Sequence, residues 1–505
     1  MVKSVIFVTI MMFVSKFLSL LKEILLAQKF GISAITDAYT VAISLNDVLF
    51  ALFAVGFSGS YIPVFMRVKK EEREQFFNNV LNVLVIISML ISIICFICSE
   101  YITTILAPGF DIKTRLLTIS FIKMMTFYLP FYTAFMMLSV HANAKELFLC
   151  SQFCELILIN VIIIIFTELS SKNYNFLLYG RILSIVVAFV VLFINLKLKK
   201  EIDYRFFIKF NQKDLKKLCL LAIPFGLSSL VNQVNMIIDR VFSSSLNEGV
   251  VSALNYANKI QILPFSLIIS VIITVYRPRI NKFFAEKDMK TGLFYAKKAI
   301  EIAIYIALPI SVLLLNFSFP IIKFLFERGA FDQSSTKMVG TCLSYYALGI
   351  PFYSYREVTN NVLAANYKQK TILKNAIIAV FFNIVLNSIL IKVIDYRGLA
   401  LSTSISGIIS CILISFDLKK INLSLLHKKQ GIDILKIIFS SIVASYICVN
   451  MYNILYKILS QQISLLLSLC IFSIVYSLIT LLIKVEIIVY FFYELNLIVS
   501  KGEKR

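Results

Sequence analysis

The chain has 505 residues, of which 59% are hydrophobic and 15% charged, with no Trp and 44 Phe, and its mean hydropathy is +0.87. Soluble domains run near 45–50% apolar and about 25% charged, so a soluble enzyme, a disordered chain and a secreted disulfide scaffold are excluded. The formal charge of +22 points to basic loops that hold a membrane topology, with no nucleic-acid partner.

At one span plus its loop per 30–40 residues, this length predicts about fourteen transmembrane helices. The first apolar run, 4–26, is interrupted by Lys16, Lys22 and Glu23 and lacks a small-residue cleavage site, so it reads as a span rather than a signal peptide. Further runs lie at 36–64, 80–100, 117–141, 153–168, 176–196, 218–245, 251–275, 300–325, 338–362, 373–393, 398–417, 433–456 and 464–495. Loops after even-numbered spans are basic: Arg67, Lys69, Lys70 and Arg73 after span 2, Lys197 to Lys217 after span 6, Arg277 to Lys290 after span 8, and Lys419 to Lys429 after span 12. The positive-inside rule then places both termini in the cytoplasm of a multi-pass protein. Most of the nine Cys lie in apolar runs as small hydrophobes, and neither a second pair nor a His completes the metal-ligand spacing of Cys95 and Cys98.

The chain repeats itself. Phe110-Asp111 precedes span 4 and Pro130-Phe131-Tyr132 sits inside it; Phe331-Asp332 and Pro351-Phe352-Tyr353 recur at the same offset around span 10. Tyr61-Ile62-Pro63 ends span 2 as Tyr276-Arg277-Pro278 ends span 8. The fold class expected is an all-α integral membrane protein with two six-helix lobes related by a parallel pseudo-two-fold, plus two C-terminal helices. The divisions are 1–196 (spans 1–6), a basic cytoplasmic linker at 197–217, 218–420 (spans 7–12), and 421–505 (spans 13–14 and a tail). Two such lobes suit a carrier that rocks about a midplane site.

Ionisable residues inside spans are costly and tend to face a cavity or a partner. Here they concentrate in spans 1, 2, 7, 8 and 10: Lys16, Lys22, Glu23, Asp37, Asp47, Asp239, Arg240, Lys259, Arg356 and Glu357, with Lys123, Glu155, Arg181 and Glu301 elsewhere. Snorkelling or a neutralising pair accounts equally well for any one of them; Arg181, near a span end, favours snorkelling. Cations on spans 1 and 8 suit an anionic cargo such as a pyrophosphate headgroup. A drug or cation antiporter would want carboxylates without the basic set. A membrane enzyme would need a nucleotide loop, triad or metal cluster that the sequence does not offer, and a non-transporting scaffold is the remaining alternative.

Ser15-Lys16-Phe17-Leu18, Lys22 to Ala27, Phe30-Gly31, Thr36-Asp37-Ala38-Tyr39 and Tyr61 to Phe65 resemble the amino-terminal signature of the MurJ/MviN flippases of the multidrug/oligosaccharidyl-lipid/polysaccharide exporter superfamily. Ala107 to Phe110 and Ser252 to Lys259 followed by Pro264 resemble two further motifs of the family. The resemblance implies a non-enzymatic transporter in a bacterial cell membrane, a monomer. It would carry an undecaprenyl-pyrophosphate-linked cell-wall precursor, lipid II, from inner to outer leaflet for peptidoglycan synthesis. By resemblance, Lys16, Lys22, Asp37, Ser252 and Lys259 bind the cargo, with Lys where the family has Arg, and Ala27 matches a small gating residue. Phe50-Ala51 replaces an Arg pair, Val55 and Ile262 replace acidic residues, and these departures admit a different lipid-linked saccharide as cargo. Asp239, Asn383, Asn387 and Thr403 fall where some members look sodium-coupled, although Asn387 stands in place of a carboxylate, so a sodium ion is the one cofactor to consider.

Overall fold

A computed structural model describes residues 2–50, 56–210, 212–421, 423 and 428–488. Among the described residues, the predicted spans fall on helices or pairs of helices; the end of span 14 from residue 489 and the tail after it lie outside the described residues. Span 1 is α1 (Val2–Phe30), span 2 is α2 (Ala34–Phe50) with α3 (Gly56–Phe65), and span 3 is α4 (Arg73–Ile97) with the short α5 (Ser99–Leu106). Span 4 is α6 (Ile112–Met125) with α7 (Tyr128–Ala144). Span 5 is α8 (Phe148–Phe153) and α9 (Ile159–Leu169) joined by a π-helical turn, and span 6 is α10 (Phe176–Leu198). Spans 7 to 9 are α11 (Lys213–Ser244), α12 (Val250–Ala285) and α13 (Met289–Phe326). Span 10 is α14 (Gln333–Ala347) with α15 (Ile350–Ala365), and α16 (Gln369–Ile394), α17 (Tyr396–Lys420), α18 (Lys428–Leu455) and α19 (Gln461–Leu482) complete the order. No strand occurs among the described residues.

Among the described residues, eight helices are long and apolar enough to cross a membrane, or nine if the bent pair α6–α7 is one span.

The internal repeat has a structural counterpart. α6 and α7 meet at a 41° bend at Thr126-Phe127, and Pro130 follows within the first turn of α7. α14 and α15 break at Leu348-Gly349, with Pro351 in the first turn of α15. Proline disfavours helix in the residue before it and withholds an N–H, so the repeated Pro-Phe-Tyr restarts the helix at the same place in both halves. Asp111 caps α6 by accepting from Lys113 N and Thr114 N.

The chain divides into two compact units, 1–252 with 328–332, and 253–327 with 333–505. This division follows contact, whereas the lobes follow the repeat; α11 belongs to the first unit because it packs on α3. At that crossing a Cβ on Gly56 would stand 2.7 Å from the Ala222 carbonyl oxygen. The first unit's core joins α3, α4, α7 and α10 around Tyr61, Phe76, Phe77, Phe135, Met137 and Leu192. His141 is buried in it, bonded to Tyr61 Oη at 2.9 Å through Nδ1 and stacked on Phe77. The second unit's core runs through α12, α13, α15 and α17 to α18 and α19. There the C-terminal pair docks on α13: Tyr476 Oη donates to Tyr305 O at 2.7 Å, and Asn316 Nδ2 donates to Ser445 Oγ at 3.0 Å.

Loops of the first unit sort by parity. Lys145, after span 4, bonds Glu74, before span 3, at 2.9 Å and pairs with Glu201, after span 6. Asn78 Nδ2, at the same end of α4, donates to Asp203 O. At odd loops, Lys29 pairs with Glu168 at 2.8 Å and Gly109 N donates to Ser244 Oγ. Consecutive helices therefore traverse this unit in alternating directions, and the basic residues of the even loops gather at one end.

Candidate functional site

α1 carries the first cations. Lys22 lies 3.7 Å from Glu23, both largely buried, while Lys16 is exposed one and a half turns earlier. Ala27 is fully buried in the last turns of α1. The helix ends at Gly31, whose φ of +57° is the left-handed region that favours glycine. A Cβ there would stand 2.4 Å from Ala330 O, because the 328–332 loop docks on this end and Ala330 N donates to Gln28 O at 2.8 Å. The Phe-Gly of the amino-terminal signature and the Gly-Ala-Phe of the repeat thus meet in one joint.

Asp37 and Ser252 are brought together, on each other. The Asp37 carboxylate accepts from Gly249 N at 2.7 Å, from Ser252 N at 2.8 Å and from Ser252 Oγ. Glu248 Oε1 in turn accepts from Ala34 N, at the start of α2, at 2.8 Å. Each acid caps the other helix. The first N–H groups of a helix have no internal partner and carry its positive dipole end, so a carboxylate there is both bonded and charge-matched. Asp37, 2% exposed, satisfies its burial cost in this way. Sequence reasoning missed Glu248 and Gly249; their signal is the short Asn247-Glu248-Gly249 turn between two long helices. We expect Asp37→Ala to lower stability by about 3 kcal/mol, since three charge-assisted bonds are lost and buried N–H groups are left unpaired. Its effect should be less than additive with Ser252→Ala in thermal unfolding of the purified protein; strict additivity would contradict the shared cap.

Further charges of the first unit are also engaged. Arg181 hydrogen-bonds Tyr39 on α2 and lies near Tyr128 and Asp47, inside the bundle rather than snorkelling out. Lys123 sits over the Phe96 ring at 5.5 Å. Asp239 and Arg240 are half-buried on α11. Ala51 and Val55, two of the departures from the family pattern, lie outside the described residues.

In the second unit Lys259 is exposed on α12, and Ile262, 42% exposed, follows one turn later on the same face. Glu301 takes Lys298 Nζ at 2.7 Å and Gln430 Nε2 at 3.2 Å, and Arg356 lies over the Tyr353 ring. Asn383, Asn387 and Thr403 do come together between α16 and α17, with Ser402, which the sequence reading did not include. Asn387 Nδ2 donates to Asn383 Oδ1 at 3.1 Å, Asn383 Nδ2 to Thr403 Oγ1 at 3.4 Å, and Ser402 Oγ to Asn387 Oδ1. The oxygens of Asn383 and Asn387 each accept from a neighbour in a hydrogen-bonded seam between helices. Asp239 belongs to the first unit. Among the described residues no three His, Cys, Asp or Glu gather as metal ligands.

The model of the lipid II flippase MurJ family matches residues 26–495. The chain belongs to the lipid II flippase MurJ family. A probable lipid II flippase MurJ of Rickettsia prowazekii is 28% identical over 415 residues, 80% of this chain and 81% of that one. A solved MurJ structure in an inward closed conformation superposes with a TM-score of 0.82 at 25% identity, covering 96% of this chain and all of that one. An inward-facing multidrug MATE transporter shares the fold alone, at 15% identity and a TM-score of 0.68 over 81% of this chain and 94% of its own. For a MurJ-family chain these matches make the all-helical, multi-pass membrane architecture and the transporter class plain. Both the amino-terminal signature from Ala27 onward and the Ser252–Lys259 motif lie within the matched range.

Proposed function

We propose that this chain is a flippase that moves lipid II from the inner to the outer leaflet by alternating access, supplying peptidoglycan synthesis. The observation that carries the reading is the family match over residues 26–495, which takes in Asp37, Ser252 and Lys259. In this reading Lys16, Lys22 and Lys259 receive the pyrophosphate: ammonium groups on otherwise apolar helices gain charge-assisted hydrogen bonds from an anion that bulk lipid does not offer. Asp37 and Ser252 join the ends of α2 and α12, and Ala27 allows close packing beside them. The protein acts as a monomer with both termini in the cytoplasm of a bacterial cell, an orientation supported by the basic end at which the even loops gather. Sodium has no required step. A second reading, export of another lipid-linked saccharide, is favoured by Ile262 beside Lys259, where an apolar side chain stands on the exposed face in place of an acid.

The test is complementation of a bacterium depleted of its own flippase, using a chain whose nine native Cys are replaced and Phe210 is changed to Cys. Growth should return, internal lipid II should fall, and an impermeant maleimide should label position 210 only in inverted vesicles. Continued accumulation of lipid II at normal membrane abundance would overturn the cargo, and labelling from outside would overturn the orientation.

A further inference from the structure

The first unit has a groove of about 770 Å³ on its flank, remote in sequence from the cations of α1 and α12. Its walls are α4, the bend of α6–α7 and α10, with Val85, Met89, Phe96, Phe131 and Phe193 among the lining side chains. Such a volume is that of a ligand pocket, ~300–1,000 Å³. From Leu81 to Phe96 on α4 it runs about 22 Å at 1.5 Å per residue, longer than half of a ~30 Å hydrocarbon core. It can therefore take an acyl chain along the depth of a leaflet.

One end of the groove is roofed by an extended strap, 201–210, that is anchored to α4 by three asparagines. Asn78 Nδ2 donates to Asp203 O, Asn79 bonds Lys209 N and O, and Asn82 bonds Phe207 O and Tyr204 Oη. This anchoring sets Tyr204 and Phe206 into the groove mouth. Around them Lys197, Lys199, Lys200, Arg205 and Lys209 are exposed. Arg205 has Asp203 at 2.9 Å and Glu201 is held by Lys145, so the mouth carries a net positive charge. An apolar slot with a cationic, aromatic mouth matches an amphiphile with an anionic head.

We propose that this groove is a binding site for an anionic phospholipid, with one acyl chain lying between α4 and α10 against the bend of span 4 and the phosphate group on Arg205 and Lys209. Basic pockets between helices at a membrane surface hold anionic headgroups by this combination of charge and chain burial. The site does not depend on which cargo the transporter carries.

The chain has no Trp, so one introduced Trp is an unambiguous reporter. Full-length Phe193→Trp is placed in nanodiscs of phosphatidylcholine containing a minor fraction of lipid with brominated chains, which quench Trp on contact. Nanodiscs expose both leaflets, so the result is independent of orientation and of flipping. Quenching by brominated phosphatidylglycerol should exceed that by brominated phosphatidylcholine roughly fivefold, and adding Arg205→Gln and Lys209→Gln should remove the difference. Leu466→Trp, on the exposed face of α19, should show no such preference. Phe96→Trp serves as the reporter if the first variant does not fold. Equal quenching by the two lipids, the same preference at Leu466→Trp, or a preference that survives loss of both cations would overturn the proposal. Displacement by undecaprenyl phosphate at lower concentration than by phosphatidylglycerol would overturn it in favour of a cargo subsite.

Discussion

Lys22→Ala is expected to abolish transport while leaving membrane abundance intact, and Lys22→Arg is expected to retain most of it. Lys22 sits in a largely buried stretch of α1 beside Glu23. The Lys22 ammonium lies 3.7 Å from the Glu23 carboxylate, and an anionic headgroup arriving there would add charge-assisted bonds to its donors. Removing the ammonium removes a charge-assisted contact of about 1.5–3 kcal/mol to each phosphate oxygen it meets and leaves Glu23 facing the cargo's negative charge. Arginine restores the charge and adds a planar fork that suits phosphate oxygens. The measurement is externalised precursor per unit of protein in the membrane. Normal transport by Lys22→Ala would remove this residue from the headgroup site.

Collapsing the membrane potential is expected to reduce transport strongly, and replacing sodium by potassium is expected to change it little. A headgroup of about −2 charge moving outward is assisted by an inside-negative potential at ~2.3 kcal/mol per charge per 100 mV. The empty, positively charged carrier then returns inward, which the same field also favours. Asn383 and Asn387 would offer a hard cation neutral amide oxygens, which attract it less than carboxylates do. The readout is flipping rate in proteoliposomes with an imposed potassium diffusion potential. Full activity at zero potential with strict sodium dependence would reverse the assignment and make the asparagines, with Asp239, a coupling site.

Much of this fold can be read from local signals. Apolar runs locate the long helices among the described residues, though not the short α5 and α8, and Pro-Phe-Tyr at one offset in both halves locates the break in the fourth span of each, since proline acts on its immediate neighbours. Loop charge anticipates the parity with which the first unit's loops gather. What local patterns could not reveal are contacts between distant segments. Asp37 is bonded to Gly249 across 212 residues, and the need for that partner is invisible in the sequence around Asp37, where a capping acid and a ligand look alike. Arg181 reads as an interfacial snorkel from its place near a helix end, yet Tyr39 of another helix draws it inward. The asparagines on α4 carry no sequence sign that they anchor a strap more than 120 residues away.

The reading of this chain as a lipid II flippase meets its most direct test in reconstitution. Purified protein in liposomes bearing lipid II on the inner leaflet should render that lipid accessible to an impermeant reagent added outside, faster under an inside-negative potential. A Lys16→Ala, Lys22→Ala, Lys259→Ala variant should behave as empty liposomes do. If wild type leaves lipid II inside while moving another undecaprenyl-pyrophosphate-linked saccharide, the lipid II assignment is contradicted and the departures at Phe50, Ala51, Val55 and Ile262 become the determinants of a different cargo.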